Sequence, residues 1–173
     1  AIEHGIPVLV KNTGNPEERG TEIRGDTPQR GIRAIATKSR IALVTVSSSR
    51  MINAYGFLHD IFGVFDEHRV SVDLVATSEV SVTSTVDAEV DIRRVVRDLS
   101  NYGEVSVEGD KAIVSLVGQD LWKESTFVAR VFNAIQGIPV RLISLGSSDT
   151  NLSLVVPEDR ATEALQTLHA EFF

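Results

Sequence analysis

Apolar positions in this chain alternate between two periods, and the alternation is then repeated. Ile41-Ala42-Leu43-Val44-Thr45-Val46 is a β-branched run of strand type. After a polar, loop-like stretch at 47–56, Phe57, Leu58, Ile61, Phe62, Val64 and Phe65 recur at helical spacing. His59, Asp60, Asp66 and Glu67 occupy the opposite face. Residues 70–75 and 80–86 read as strands, the second with period two. Asp91 can cap a helix carrying Ile92, Val95, Val96 and Leu99, and Val105-Ser106-Val107 ends the series. The order β-α-β-β-α-β is that of the split βαβ, or ferredoxin-like, unit.

The order then starts again. Residues 111–118 echo 41–48, and 127–132 echo 57–62, each at an offset of 70. Residues 138–143 echo 70–75 at 68, Asn151-Leu152-Ser153-Leu154 echoes Glu79-Val80-Ser81-Val82 at 72, and a helix with Ala164, Leu165 and Leu168 follows. This is an internal duplication. The second copy reaches Phe173 before its fourth strand, while Ile32-Arg33-Ala34-Ile35-Ala36-Thr37 reads as an isolated strand upstream of the first. That strand can complete the second unit, so that each sheet reaches its four strands. The expected class is α+β: two ferredoxin-like units, the first (39–109) inserted in the second (32–38 plus 110–173). Each is a four-stranded antiparallel sheet with two helices on one face. The exposed face and edge of such units make dimerisation a reasonable expectation.

The first forty residues differ. Ile6-Pro7-Val8-Leu9-Val10 is a short β-like run, followed by turn formers through Gly20 and a second breaker at Thr27-Pro28-Gln29-Arg30-Gly31. Residues 1–31 read as the end of a preceding domain plus a linker. The chain opens Ala1-Ile2-Glu3 and its only Met is Met51, which suggests a piece of something longer.

Composition narrows the function. Apolar residues at 42% and charged residues at 24% are those of a globular chain. No window approaches the ~18 apolar residues of a membrane span. Seventeen Lys+Arg against 24 Asp+Glu give −7, which argues against a nucleic-acid backbone binder. With no Cys there is no thiolate metal site and no cysteine nucleophile, and a reducing, cytoplasmic setting fits. His4, His59, His68 and His169 lack metal-ligand spacing. No Gly-x-Ser-x-Gly elbow and no glycine-rich phosphate loop is found.

What remains is a small-ligand site. The loop ending at Tyr55-Gly56 leads into a helix near Phe57, and a helix start offers N–H groups and partial positive charge to a carboxylate. Gly56 would let a ligand approach the backbone. Across the strand edge stand Ser71, Asp73, Thr77, Ser78 and Glu79, where an acid could hold an ammonium. Together these describe a pocket for an amino acid, although Ser and Asp at strand ends also serve as ordinary turn residues. The repeat differs here: Arg141 aligns with Asp73, Thr126 with Gly56 and Asn151 with Glu79. The first unit is therefore the better receptor for a basic amino acid, and its repeat reads as structural.

These segments resemble the ACT-domain regulatory half of aspartate kinases, and most closely the lysine-sensitive type. The likeness rests on Met51-Ile52-Asn53-Ala54-Tyr55-Gly56-Phe57-Leu58, Ser71-Val72-Asp73-Leu74 and Thr77-Ser78-Glu79-Val80-Ser81-Val82. Gly5-Ile6-Pro7-Val8, Asn12-Thr13-Gly14-Asn15-Pro16 and Gly20-Thr21 are similar to the end of that family's kinase domain. The resemblance implies feedback control of aspartate phosphorylation, with L-lysine bound between paired first ACT units of a homodimer. It implies effector contacts at Met51, Gly56, Phe57, Leu58, Ser71, Val72, Asp73, Ser78 and Glu79. Phe57 and Leu58 would offer backbone N–H groups to the carboxylate, and Asp73 would hold an amine. ATP and magnesium would belong to the parent kinase domain; no cofactor and no catalytic residue is expected in this fragment, whose nucleotide motif is absent. Alternatives are a threonine-responsive unit, a ligand-free dimerisation module, or a ferredoxin-like catalytic domain such as an acyl phosphatase, for which no phosphate loop is found.

Overall fold

The computed structural model describes residues 1, 4–23, 31–146 and 149–173, so most of the breaker expected at 27–31 lies outside the described residues. Two compact units result, residues 1–30 and 31–173. In the first, β1 (Val8–Val10) pairs antiparallel with β2 (Thr21–Ile23), both strands exposed.

The second unit contains β3 (Gly31–Ser47), α1 (Phe57–Glu67), β4 (Val75–Thr77), β5 (Ser81–Asp87) and α2 (Ile92–Leu99). These are followed by β6 (Glu104–Gln119), α3 (Phe127–Ala134), β7 (Leu142–Leu145), β8 (Asn151–Pro157) and α4 (Ala161–Phe172). Its strands form one six-stranded antiparallel sheet in the order β4-β5-β3-β6-β8-β7. Two separate four-stranded sheets were expected; instead β3 and β6 run through the whole sheet. Residues 31–38 and 41–47 are one strand, as are 104–108 and 111–119. Each long strand bends where one residue takes the left-handed conformation, Arg40 (φ 57°) in β3 and Asp110 (φ 53°) in β6. The pairing slips at the same point, from Lys38 opposite Ile113 to Ile41 opposite Lys111 and Leu43 opposite Glu108, as a bulge requires.

Strand alternation sorts the core. Ala42, Val44 and Val46 face α1 and α2, where Ile61, Phe65, Val95 and Leu99 complete one buried cluster. Ala112, Val114 and Leu116 face α3 and α4, with Phe127, Val131, Ala164 and Leu168. Their neighbours point the other way: Ile41, Leu43, Ile113, Leu142 and Val155 form a third cluster that joins the helix-free faces of both halves. The sheet is coiled enough that its outer strands, β4 and β7, approach each other. Burying a side chain such as Phe127, which is 1% exposed, contributes about 1.5–3 kcal/mol.

The duplication reappears as repeated bonds. Thr45 and Thr83 hydroxyls meet at 2.9 Å, and so do Ser115 and Ser153, each 70 residues later. Ser48 N–H donates to the Val80 carbonyl at 2.8 Å, and Gly118 N–H to the Thr150 carbonyl at 2.8 Å. The strand read at 70–75 is regular only from Val75, although Val70 is buried and Val72 packs on the first core. Strand register also pairs Ser81, rather than Glu79, with Asn151, because Val46 lies opposite Val82 and Leu116 opposite Leu152. Glu79 therefore has its counterpart in the turn before β8. Asp91 caps α2 as expected, accepting from the Arg93 N–H at 3.3 Å.

Candidate functional site

The loop from β3 to α1 is pinned at two points. The Arg50 guanidinium donates to the carbonyls of Asn101 and Tyr102, both at 2.9 Å, and Phe57 meets the Tyr102 ring edge-on at 6.5 Å. Met51, half-buried, packs against the first core. Gly56 is the N-cap of α1 with φ 82°, a left-handed conformation that glycine adopts without penalty. No side chain caps the helix, and its first backbone bond runs from Asp60 N–H to the Gly56 carbonyl at 3.0 Å. The N–H groups of Phe57 and Leu58 thus emerge from the helix start, where the helix dipole favours an anion. Phe57 is buried as a ring and Leu58 is 41% exposed. At the matching start of α3, Thr126 has φ −90°, and Phe127 N–H is already taken by the Glu124 carbonyl at 3.0 Å. Only the first of the two helix starts is open in this way.

The turn from β4 to β5 lies at the same end of the sheet, since Ser48 N–H holds the Val80 carbonyl. Here Ser78 is occupied within its own turn: its N–H donates to the Ser81 carbonyl at 2.8 Å and its hydroxyl meets that of Ser81 at 2.7 Å. Glu79 is exposed beside it.

Asp73 lies elsewhere. Its N–H donates to the Thr85 carbonyl at 3.2 Å, and Thr85 stands four residues along β5 from Ser81, which closes the turn, a separation of about 13 Å at ~3.3 Å per residue. Ser71 and Val72 are still further from the turn. The nine residues singled out in the sequence therefore form two groups: Met51, Gly56, Phe57, Leu58, Ser78 and Glu79 at one end, and Ser71, Val72 and Asp73 towards the other. One copy of the chain does not bring Asp73 opposite the start of α1.

Asp73 has a partner that the sequence reading missed. Lys38 Nζ lies 2.7 Å from Asp73 Oδ2 and 2.7 Å from Asp87 Oδ1. The hydrogen bond to Asp73, then that to Asp87, raises the Lys38 ammonium above its ordinary pKa. At the matching place of the repeat, the Arg141 guanidinium forks onto Glu108 at 2.6 and 2.9 Å, and this ion pair holds the Glu108 carboxyl below its usual range. Glu108 is the repeat counterpart of Lys38, and Arg141 that of Asp73. The same ion pair is built twice with its charges exchanged, a swap that was open to view in the aligned repeats.

A shallow cavity of about 250 Å³ lies between the outer strands, lined by Ala76, Thr83, Val140, Arg141, Leu142 and Ile143. Among the described residues no cluster of His, Asp and Glu could hold a metal ion, and no helix is long and apolar enough to cross a membrane.

Residues 114–172, in the second half, match the ACT domain family. Lysine-sensitive aspartokinase 3 of Escherichia coli is 34% identical over the whole of this chain, which spans 40% of that protein's length. The solved structure of E. coli aspartokinase III in complex with lysine and aspartate, in its T-state, superposes with a TM-score of 0.89 at 34% identity, covering 99% of this chain and 40% of that one. A structure described as a C-terminal regulatory domain of aspartate kinase from Porphyromonas gingivalis is 37% identical with a TM-score of 0.72, covering 81% of this chain and 96% of that one. An ACT-type mixed α/β fold of four helices and antiparallel strands thus defines a regulatory module of amino-acid biosynthesis. The chain belongs to the aspartokinase family, of which it is a regulatory region.

Proposed function

We infer that this chain is the lysine-responsive region of an aspartate kinase acting in the cytoplasm. Residues 39–109 form a first ACT unit inserted in a second, 32–38 plus 110–173, and 1–31 end the kinase domain and link to it. The strand orders β4-β5-β3-β6 and β3-β6-β8-β7 within the shared sheet support two ferredoxin-like units. The parent phosphorylates L-aspartate with ATP and magnesium to 4-phospho-L-aspartate, and L-lysine shuts it down.

The observation that carries this reading is that the first half alone has both an open helix start at Gly56-Phe57-Leu58 and an acid, Asp73, in the segment leading into the edge strand β4. Phe57 and Leu58 N–H groups receive the ligand carboxylate, and Asp73 an ammonium; Met51, Ser71, Val72, Ser78 and Glu79 complete the contacts. Because the two groups are separated along β5, a lysine molecule touches both when a second copy supplies one of them. The homodimer therefore forms through the first units, where Ile52, Leu58, Val75 and Val80 expose apolar surface. A ligand held between two copies binds one arrangement better than another, and this differential affinity, typically ~1–3 kcal/mol, is what can govern an attached kinase.

Calorimetric titration of the chain with lysine, threonine and methionine tests the reading. Heat with lysine alone is expected; heat with threonine and none with lysine assigns the region to a threonine-responsive kinase. No change in heat or melting temperature with any of the three leaves a dimerisation module.

A further inference from the structure

We propose that Lys38 sets the affinity of the effector site by occupying Asp73 with an internal ammonium, which the effector's own ammonium must displace. This inference rests on the lysine-binding reading above and adds a residue that the reading does not use.

The argument starts from charge. Asp73 and Asp87 share the single Lys38 ammonium, 2.7 Å from each, so the three groups carry one net negative charge. The cluster is open to solvent, with side-chain exposures of 45% for Lys38, 32% for Asp73 and 48% for Asp87, so a small cation can reach it. An incoming ammonium meets an Asp73 carboxylate whose charge Lys38 already matches through Oδ2, so its full attraction is available only as Lys38 gives way. Lys38 does not then lose all pairing, because Asp87 retains it. Asp87 thereby acts as a parking place that lowers the cost of the exchange.

The repeat provides an internal comparison. The counterpart pair joins Glu108, near the end of the inserted half, to Arg141 of the second by a forked contact, with Lys111 at 3.8 Å from the same carboxylate. That arrangement is closed to an ammonium by the sign of its edge charge. The first half differs both in sign and in having Asp87 as a spare acceptor. Lys38 also belongs to the strand segment 31–38, whereas Asp73 and Asp87 belong to the inserted half. Displacement of Lys38 therefore loosens a cross-link between the halves at the same moment as it admits the ligand.

The test is calorimetric titration of the full 1–173 chain with L-lysine, comparing wild type, Lys38→Met and Asp87→Asn. Removing the competing ammonium is expected to tighten lysine binding about threefold or more, in keeping with the modest strength of an exposed ion pair. Asp87→Asn leaves Lys38 entirely to Asp73 and should weaken binding at least about twofold. A merely structural ion pair predicts that both variants weaken binding or change nothing. If wild type binds lysine and Lys38→Met binds equally or more weakly, the inference fails while the lysine reading stands. If wild type is silent and Lys38→Met binds, competition is stronger than expected and the inference holds. If both are silent, the reading and the inference fall together. Should Lys38→Met not fold, Lys38→Gln and Asp87→Asn retain the opposed signs that decide the matter.

Discussion

Ser115 and Ser153 meet hydroxyl to hydroxyl at 2.9 Å across β6 and β8, and Thr45 and Thr83 make the same contact across β3 and β5. All four positions lie on half-buried or buried strand, and each pair is separated by 38 residues. A polar bond kept at matched positions of two strand pairs is the physical trace of a duplicated unit.

That pair predicts a pattern of stabilities. Thr45→Val or Thr83→Val alone should cost about 1 kcal/mol, because each leaves a partly buried hydroxyl without its partner. The double variant should be closer to neutral than the sum. Urea denaturation of the four-member cycle checks this, and Ser115→Ala with Ser153→Ala should show coupling of the same sign. Additive losses in either half would mean that the hydroxyls are served by solvent.

The halves should respond differently to loss of their edge charge. Asp73→Ala is expected to weaken lysine binding by at least ~1 kcal/mol, the scale of a hydrogen bond to a charged group. Arg141→Ala should leave binding nearly intact. A loss at Arg141 equal to that at Asp73, measured by calorimetry, would move the ligand to the second half.

Acid should expose a second local device. Arg97, and after it His68 at 2.8 Å, hold the Asp98 carboxyl down at about 2, tying the end of α1 to α2. A carboxyl held below its unfolded value stabilises the fold above the ordinary aspartate pKa of about 3.9, and that contribution is lost as pH falls towards 2. Melting temperatures of wild type and Asp98→Asn should therefore differ at pH 5 and converge near pH 2. Parallel curves over that range would show that Asp98 is not held in this way.

Gly118 leaves no room for a methyl group. A Cβ there would collide with the Gly31 carbonyl and lie 2.7 Å from Leu121 Cδ2. Gly118→Ala should lower stability by about 1–3 kcal/mol, the usual cost of overpacking, as read by thermal unfolding. Gly109→Ala, with nothing within 4 Å of its added methyl, is the control.

Much of this fold could be read from spacing. The 3.6-residue recurrence of Phe57, Ile61, Val64 and Phe65 marks the buried face of α1, and Asp91 marks the start of α2. The continuity of the long strands could not be read so directly. Lys38-Ser39-Arg40 and Glu108-Gly109-Asp110 break the apolar alternation and resemble turns, yet a single left-handed residue in each absorbs the break without ending the strand. At the candidate site, Gly56 announces itself because its conformation is local. The Lys38–Asp73 contact spans 35 residues and depends on how β3 bends past β5, which no local pattern specifies. Only the exchanged charges at Glu108 and Arg141 hinted at it.

The bends at Arg40 and Asp110 also bear on how such a molecule can be taken apart. Since the second half takes 31–38 from one side of the insertion and 111–173 from the other, no single cut frees it intact, and a cut near residue 110 leaves the first half without Ile113, Leu142 and Val155 against Ile41 and Leu43. Gene truncations that stop near residue 110 should give insoluble or unfolded product rather than a smaller working receptor, and limited proteolysis should nick loops before it yields a stable half.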